Sequence, residues 1–267
     1  MQTIADLHEK LFELLNDFDS FCKENGIQYF LAYGSVLGAI RHKDFIPWDD
    51  DLDVMMTREN YNKLLSAYKN NEKYFLQRDT IDYPLQFSKL RANETTFIEH
   101  IPYKRKYKNI HQGMYIDIFP VDKVATQKHC AMLQVFFSRI LISQSLALRG
   151  YHTQVVAKKI ALVLSYLFLP FRKFMLGYIV KFNTAADFEY YNCFCDVKKI
   201  YLDKSMLEHG ELVEFRNKAY PVPSNPTEYL KRVYNNWNEL PAKEERQAKV
   251  HAAFFSTTED YTKHLEQ

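Results

Sequence analysis

The sequence contains few cysteines and almost no net charge. Its 267 residues include 4 cysteines and carry a formal charge of +2. The cysteines, which form neither a Cys-x-x-Cys pair nor a disulfide framework, are Cys22, Cys130, Cys193 and Cys195. This pattern argues against a zinc hook and against a disulfide-stapled secreted fold. A nearly neutral chain has no overall attraction for nucleic acid, so we expect no nucleic-acid partner.

A secretory leader and a long apolar run are also lacking. The N-terminal residues MQTIADLHEK have no basic start and no apolar stretch of the signal-peptide kind, so we expect a cytoplasmic protein. The apolar run Ile160–Leu169 ends at Pro170 after ten residues, which is too short to span a bilayer. Basic residues flank it, so two interpretations stay open: a helical hairpin packed on a catalytic core, or a segment over 155–182 that lies at the inner face of the membrane.

The stretch 28–56 carries the most informative pattern. Asp51 and Asp53 alternate with apolar residues, so on a strand both carboxylates lie on one face and point toward the same place. Paired carboxylates of this kind suit Mg²⁺ or Mn²⁺, which prefer oxygen ligands. Upstream, Gly34 can adopt backbone angles closed to other residues, and the amides of Ser35 and Val36 would open a helix whose positive end attracts phosphate. The stretch therefore predicts a metal site beside a phosphate site.

The acidic run fits a calcium loop or a solvated turn less well than it fits a strand. A calcium loop of the EF-hand type needs glycine at its sixth position and glutamate at its twelfth, where this chain has Val54 and Asn60. A solvated acidic turn fits poorly with the apolar residues Leu52 and Val54, which indicate a half-buried strand.

The remaining pattern predicts an α+β protein with a mixed sheet. Apolar spacings of three and four predict a helix over 3–24. Strands are expected at 28–33, 51–56, 74–77, 84–91 and 95–99, with a helix at 35–41 and another that Thr57 caps. Residues 126–183 are helical in pattern, and the segments 213–215 and 219–222 predict a hairpin. Asn225, followed by Pro226, predicts the cap of a further helix.

Several charged residues have two interpretations each. Asp117 lies in an otherwise apolar strand, and because an unpaired buried charge is costly we expect it to have a partner. Lys89 and Arg91 share a strand face, where they either neutralise a phosphate or are solvated. Arg41, at the end of the helix after Gly34, either reaches an anionic ligand or forms a surface salt bridge.

Two consecutive runs within the stretch 28–56 together resemble the signature of the LicD family. The run Gly34–His42, GSVLGAIRH, is continued by Phe45–Val54, FIPWDDDLDV. This family is related to fukutin and the fukutin-related protein and falls within the nucleotidyltransferase superfamily. The segment Gly113–Asp122 and the C-terminal stretch around Tyr229 and His251 are similar to the same family, so the resemblance covers most of the chain.

The resemblance implies a nucleotidyltransferase-like core at 1–125, an added helical subdomain at 126–200, and a C-terminal part of the same domain at 201–267. It implies that Asp117 joins Asp51 and Asp53 as catalytic and metal-binding residues, with Mg²⁺ or Mn²⁺. It also favours Lys89 and Arg91 as substrate-binding residues beside Gly34, Ser35, Arg41 and Trp48. The expected activity is transfer of phosphocholine from CDP-choline to a hydroxyl of a cell-surface glycan, of the lipopolysaccharide or teichoic acid type or lipid-linked, with release of CMP.

Three alternatives stay open: transfer of another CDP-linked alcohol phosphate, true nucleotidyl transfer to a small molecule, and a catalytically silent module that binds a glycan or nucleotide. A quaternary ammonium is held by aromatic faces. The aromatic residues nearest the motif in the sequence are Tyr29, Tyr33, Phe45, Trp48 and Tyr115.

Overall fold

The chain begins with a long amphipathic helix. The computed structural model describes residues 2–80, 82–99, 110–242, 244, 246 and 251–264. Helix α1 (Ile4–Glu24) starts at a capping box, in which Thr3 and Asp6 each accept a hydrogen bond from the other's backbone N–H. Its buried stripe includes Leu7, Leu11 and Phe18, which confirms the helix predicted from the apolar spacing.

The other elements alternate between helix and strand along most of the chain. The remaining α-helices that we label are α2 (Tyr33–His42), α3 (Arg58–Ala67), α4 (Lys128–Leu148), α5 (Val156–Leu167), α6 (Arg172–Val180), α7 (Lys204–Glu208) and α8 (Pro226–Tyr234). The strands are β1 (Phe30–Leu31), β2 (Asp53–Thr57), β3 (Tyr74–Gln77), β4 (Ser88–Ala92), β5 (Thr96–Glu99), β6 (Tyr115–Lys123), β7 (Tyr190–Asn192), β8 (Leu202–Asp203), β9 (Glu211–Phe215), β10 (Lys218–Val222) and β11 (Ala252–Ser256).

The main sheet is mixed. Within the described residues it has seven strands in the order β1-β2-β6-β4-β3, with β7 paired to β6 and β8 paired to β7. Strands β2 and β6 run parallel, and the other neighbours run antiparallel. Together with the helices around it, this sheet confirms the predicted α+β class.

The region after β1 differs from the prediction in one respect that matters for the site. The predicted strand 28–33 is reduced to two residues, and the predicted helix 35–41 begins two residues sooner, at Tyr33. The amides of Ser35 and Val36 both donate to the carbonyl of Ala32. Gly34 therefore lies inside the first helical turn.

The C-terminal part of the chain packs into the same core as α1. Strands β9 and β10 form the predicted hairpin, and Asn225 caps α8 as expected. Tyr220 and Tyr229 are fully buried in one cluster with Leu14 and Val54. Strand β11 pairs with β5. The residues after 200 thus complete the catalytic sheet's core, and the division of the chain at 125 and 200 stays a prediction.

Helices α4 to α6 form a helical region with a small core of its own, which includes Leu141, Met175 and Ile179. Many of its apolar side chains are exposed. Among the described helices, α4 is long and apolar enough to cross a membrane by length and composition, with 33% of its most apolar window buried. Helix α5 and the segment Leu169–Thr184 pass the same test together, bent by 63°.

Candidate active site

Three neighbouring strands place two carboxylates and an ammonium in one row. Asp53 on β2 is in register with Asp117 on β6, and Asp117 is in register with Lys89 on β4. Paired residues on adjacent strands lie about 5 Å apart at their Cα atoms. The expected convergence of Asp53 and Asp117 from separate strands is therefore present in the fold.

Asp51 joins them from the segment that leads into β2. Asp51 and Asp53 both line a cleft of about 810 Å³. The other walls of the cleft come from α2 and from residues 234–242, and they include Gly34, Arg41, Trp48, Asp49, Tyr234, Trp237 and His251. A volume of this size accommodates a nucleotide-sized ligand.

Gly34 and Ser35 hold the acidic strand in place, which corrects their expected role as a phosphate turn. Gly34 is helical, and a Cβ at its position would lie 2.9 Å from an oxygen of Asp49, so a larger residue would displace the Asp49 side chain. The hydroxyl of Ser35 accepts the backbone N–H of Asp53 at 2.8 Å. The amides of Ser35 and Val36 are used inside α2, so they cannot cradle a phosphate.

Arg41 and Trp48 both line the cleft, each with protein contacts. Arg41 donates to the carbonyls of Trp237 at 3.0 Å and Glu239 at 3.3 Å, and so fixes the loop that forms the opposite wall. The guanidinium of Arg246 lies 4.6 Å from the centre of the Trp48 ring. Arg41 therefore fixes this loop from the cleft wall, and its expected contact with an anionic ligand stays a prediction.

Lys89 and Arg91 are not among the cleft-lining residues, and neither is Asp117, so the expected contact of Lys89 and Arg91 with the substrate's phosphates stays a prediction. The Lys89 ammonium is 2.9 Å from Asp117 and 3.5 Å from Glu99. Arg91 donates to Gln77, to the carbonyl of Gly113 at 2.8 Å and to the Tyr83 hydroxyl. Arg91 is thus a structural residue, whereas Lys89 acts on the site through Asp117.

Asp49, Asp50 and His251 complete the site, although the sequence pattern did not identify them as site residues. The buried Asp50 carboxylate accepts the backbone N–H groups of His251, at 2.8 Å, and Ala252, at 2.7 Å. It also contacts the His251 ring at 3.0 Å, while Asp51 lies 3.4 Å from that ring. One potential ligand atom each from Asp49, Asp50 and His251 lie within 4.8 Å of one another. His251 reaches the site only because β11 returns to β5, which no local pattern indicates.

The site holds more negative charge than its cations balance. Burial, together with the carboxylate of Asp49, raises the pKa of Asp51 to about 8. Burial and the Asp51 carboxylate raise the pKa of Asp53 well above its ordinary value. Burial also raises the pKa of Asp117, although Lys89 opposes this. The hydrogen bond to Asp50 raises the pKa of His251 to about 9. A divalent cation would relieve the repulsion among these carboxylates. The carboxylate oxygens of Asp51, Asp53 and Asp117 are donors of the kind that Mg²⁺ or Mn²⁺ prefers.

The fold and the site together define a transferase of the nucleotidyltransferase type. Asp51 and Asp53 line a nucleotide-sized cleft beside the start of α2, and Asp117 on the adjacent parallel strand is in register with Asp53. The comparisons with known proteins agree with this class. A family model described as LicD/FKTN/FKRP, nucleotidyltransferase domain, matches residues 26–139, so this part of the chain is similar to that family.

The similarity to one relative extends over nearly the whole length of both chains. The chain is 26% identical over 261 residues to the lipopolysaccharide cholinephosphotransferase LicD of Haemophilus influenzae, covering 91% of this chain and 94% of that protein. It is 27% identical over 121 residues to mannosyltransferase regulator 4 of Saccharomyces cerevisiae, covering 41% of this chain and 9% of that protein. An uncharacterized protein of Rickettsia typhi is 36% identical over 62 residues, covering 22% of this chain and 20% of that protein.

Proposed function

We propose that this enzyme transfers phosphocholine from CDP-choline to a hydroxyl group of a cell-surface glycan, of the lipopolysaccharide or teichoic acid type, and releases CMP. The observation that carries the proposal is the register of Asp117 with Asp53, which lines the cleft, in a chain similar over 91% of its length to a lipopolysaccharide cholinephosphotransferase. In this proposal the acceptor glycan is either free or linked to a lipid.

In the proposed reaction, the acceptor oxygen bonds to the choline-bearing phosphorus as the bond from that phosphorus to the bridging oxygen breaks. CMP leaves with the bridging oxygen. Asp51, Asp53 and Asp117 would hold Mg²⁺ or Mn²⁺, which when bound neutralises the charge of the diphosphate. Asp117 would accept the proton of the acceptor hydroxyl, because burial raises the pKa of this carboxyl, as suits a general base. No covalent enzyme intermediate is required.

The cleft supports a role for Arg41 and Trp48 at the donor. Both side chains line the same cleft as Asp51 and Asp53. The Trp48 ring already lies beside the guanidinium of Arg246, and an aromatic face of this kind can also stack on a nucleobase. We therefore propose that Trp48 and Arg41 bind the substrate. Gly34 has no side chain, and this allows the ligand and Asp49 to lie close to α2.

A turnover assay with a donor labelled separately in its choline and cytidine parts tests the proposal. Asp51→Asn and Asp53→Asn should each lower turnover at least about a hundredfold while the fold stays intact, because a carboxylate of the metal site is lost. Asp187→Asn is the matched control, since Asp187 is exposed on the surface. Transfer of the choline label to the glycan is expected.

The same assay separates the alternatives. Transfer of the cytidine label would mean nucleotidyl transfer, and preference for CDP-ribitol would mean another alcohol phosphate. Unchanged turnover in both asparagine variants would refute the assignment of Asp51 and Asp53 to the active site. Absence of any transfer by the wild-type protein would favour the catalytically silent binding module.

We also propose that residues 155–182 contact the inner face of the membrane, where a lipid-linked acceptor would lie. Val156, Val163 and Leu167 are each about two-thirds exposed, at 68%, 67% and 69%. The basic residues that accompany this apolar surface are Lys158, Lys159, Arg172, Lys173 and Lys181. Such a surface binds anionic lipid. Cosedimentation with phosphatidylglycerol vesicles, compared with pure phosphatidylcholine vesicles, tests this, and equal recovery in the supernatant with both would contradict it.

A further inference from the structure

A second cavity lies beside the row of catalytic side chains, between the sheet and α4. Its volume is about 330 Å³, near the lower end of the range for small-molecule sites. Its walls include Tyr33, Gln86, Phe87, Phe119, Arg149 and Asp196. We call it the aromatic pocket. The proposed transfer reaction does not by itself give it a role.

The aromatic pocket is adjacent to the acidic residues because of strand geometry. Phe119 follows Asp117 by two residues on β6, and Phe87 precedes Lys89 by two residues next to β4. Side chains two residues apart on a strand share a face and lie about 6.5–7 Å apart. Tyr33 directly precedes Gly34, which lines the acidic cleft. A ligand whose phosphate lies at Asp117 can therefore extend a short substituent into the aromatic pocket.

Three aromatic rings of the pocket are packed against one another. The Phe119 ring centre is 5.3 Å from that of Tyr33, in a nearly perpendicular arrangement, and 4.6 Å from that of Phe87. All three side chains are only partly buried. Such groups of rings offer faces to a quaternary ammonium, whose methyl groups cannot donate hydrogen bonds.

Two residues of the pocket have unfavourable backbone conformations. The φ angles of Tyr33 and Gln86 are +44° and +66°. Non-glycine residues in this region are uncommon, and they cluster at ligand sites. The Nε2 group of Gln86 is buried and has no hydrogen-bond partner among the described residues. It is available to donate to an oxygen of a ligand.

The charges at the pocket are compatible with a cationic ligand. Asp196 lines the wall, and its Oδ1 accepts the backbone N–H of Lys198 at 3.1 Å. Arg149 also lines it, but its guanidinium is 3.7 Å from Glu99 and 5.4 Å from the centre of the Tyr83 ring. Lys89, 5.9 Å from the Phe87 ring centre, is paired with Asp117 and Glu99. The nearby cations are thus each balanced, while Asp196 adds negative charge.

We propose that the aromatic pocket receives the trimethylammonium group of the donor and so selects choline over other alcohols. This inference rests on the proposed function, because it assigns the choline part of the donor to Tyr33, Phe87 and Phe119. In choline phosphate two methylene groups separate the ammonium from the phosphate ester oxygen. This short spacer suits a pocket in which Phe119 lies two residues from Asp117 on the same strand.

Binding of choline chloride, observed by saturation-transfer NMR, tests the pocket without any turnover. The wild-type protein should bind choline, and Phe119→Leu should weaken binding about two- to thirtyfold, the contribution of one ring face. Phe119→Tyr, which keeps the ring, should bind within about twofold of wild type on the same reasoning. Phe136→Leu is the matched control, because Phe136 is 54% exposed on α4.

A second measurement separates this inference from the proposed function. The ratio of the KM for CDP-choline to the KM for CDP-ethanolamine should rise in Phe119→Leu and Phe87→Leu, while the affinity for CMP stays unchanged. Choline turnover with no change in this ratio would refute the pocket and leave the function standing. Choline binding that depends on Phe119 in a protein with no turnover would refute the function and leave the pocket standing. A loss of CMP binding in Phe119→Leu would assign the pocket to the nucleobase and overturn the inference.

Discussion

The Asp50 carboxylate holds the C-terminal strand on the active site, so its replacement should release that strand. Asp50 is only 2% exposed and accepts the N–H groups of His251 and Ala252 as well as the His251 ring. In Asp50→Ala the whole carboxylate is removed, so the two backbone N–H groups, which both donate to its Oδ2, lose their acceptor. Two bonds to a charged acceptor are lost, at about 1.5 kcal/mol or more each, which amounts to at least about 3 kcal/mol.

A free-energy loss of about 3 kcal/mol corresponds to roughly a hundredfold larger open population of β11. Hydrogen exchange measured by mass spectrometry should therefore be faster in the amides of Ala252–Ser256 and in their partner strand, Thr96–Glu99. The amides of β2 and α1 should exchange as in the wild type. Asp187→Ala is the control. Unchanged exchange in β11 would refute the idea that Asp50 anchors this strand.

Three further predictions concern the supports of the site and one buried histidine. Lys89→Met removes the partner of the buried Asp117, so we expect a loss of about 3–5 kcal/mol in urea unfolding, since a buried charge is left unpaired. Ser35→Ala leaves the Asp53 N–H without its acceptor, so it should lower kcat more than CDP-choline affinity and cost about 1–3 kcal/mol in unfolding free energy. His111 is neutral in the fold, because burial and nearby Arg91 lower its pKa to about 4. Since the unfolded chain takes up this proton more readily, stability should fall between about pH 6.5 and 4, by up to about 1.4 kcal/mol per pH unit, and His111→Asn should lose this contribution.

Each of these predictions has a contradicting result. A Lys89→Met protein as stable as wild type would mean that Asp117 does not need this cation. Equal losses of affinity and kcat in Ser35→Ala would favour a direct substrate contact for the hydroxyl. For His111, whose ring accepts the Gly113 N–H and contacts Asn93, identical pH slopes in wild type and variant would contradict the neutral state.

The elements with strong local patterns could be predicted from the sequence. Helix α1 follows from its apolar spacing, and the facing carboxylates follow from the alternation of acidic and apolar residues in 51–54. The start of α3 at Thr57 and of α8 at Asn225 follows from capping chemistry, and both caps are present. The family resemblance led us to expect that Asp117 joins Asp51 and Asp53, and the parallel pairing of β2 with β6 puts Asp117 in register with Asp53.

The roles that depend on long-range contacts could not be predicted. The sequence predicts that Gly34 and Ser35 form a phosphate turn. A Gly-Ser pair before a helix does not reveal that the Ser35 hydroxyl accepts the backbone N–H of Asp53, 18 residues away. Arg91 shares a strand face with Lys89, but its acceptors come from three other parts of the chain. Of the aromatic residues near the motif, Tyr29, Phe45 and Tyr115 are buried, and the ring of Tyr33 packs against the distant Phe119.

The central claim is that carboxylates from β2 and β6 hold a divalent cation against the diphosphate of the donor. Calorimetric titration of CDP-choline, with and without Mg²⁺, tests it most directly in the wild type and in Asp53→Asn. We predict that CDP-choline binds tightly to the wild type only when Mg²⁺ is present, and that Asp53→Asn loses this dependence on Mg²⁺ together with the affinity. Equal affinity with and without Mg²⁺ in the wild type, or an Asp53→Asn protein that binds as the wild type does, would contradict the claim.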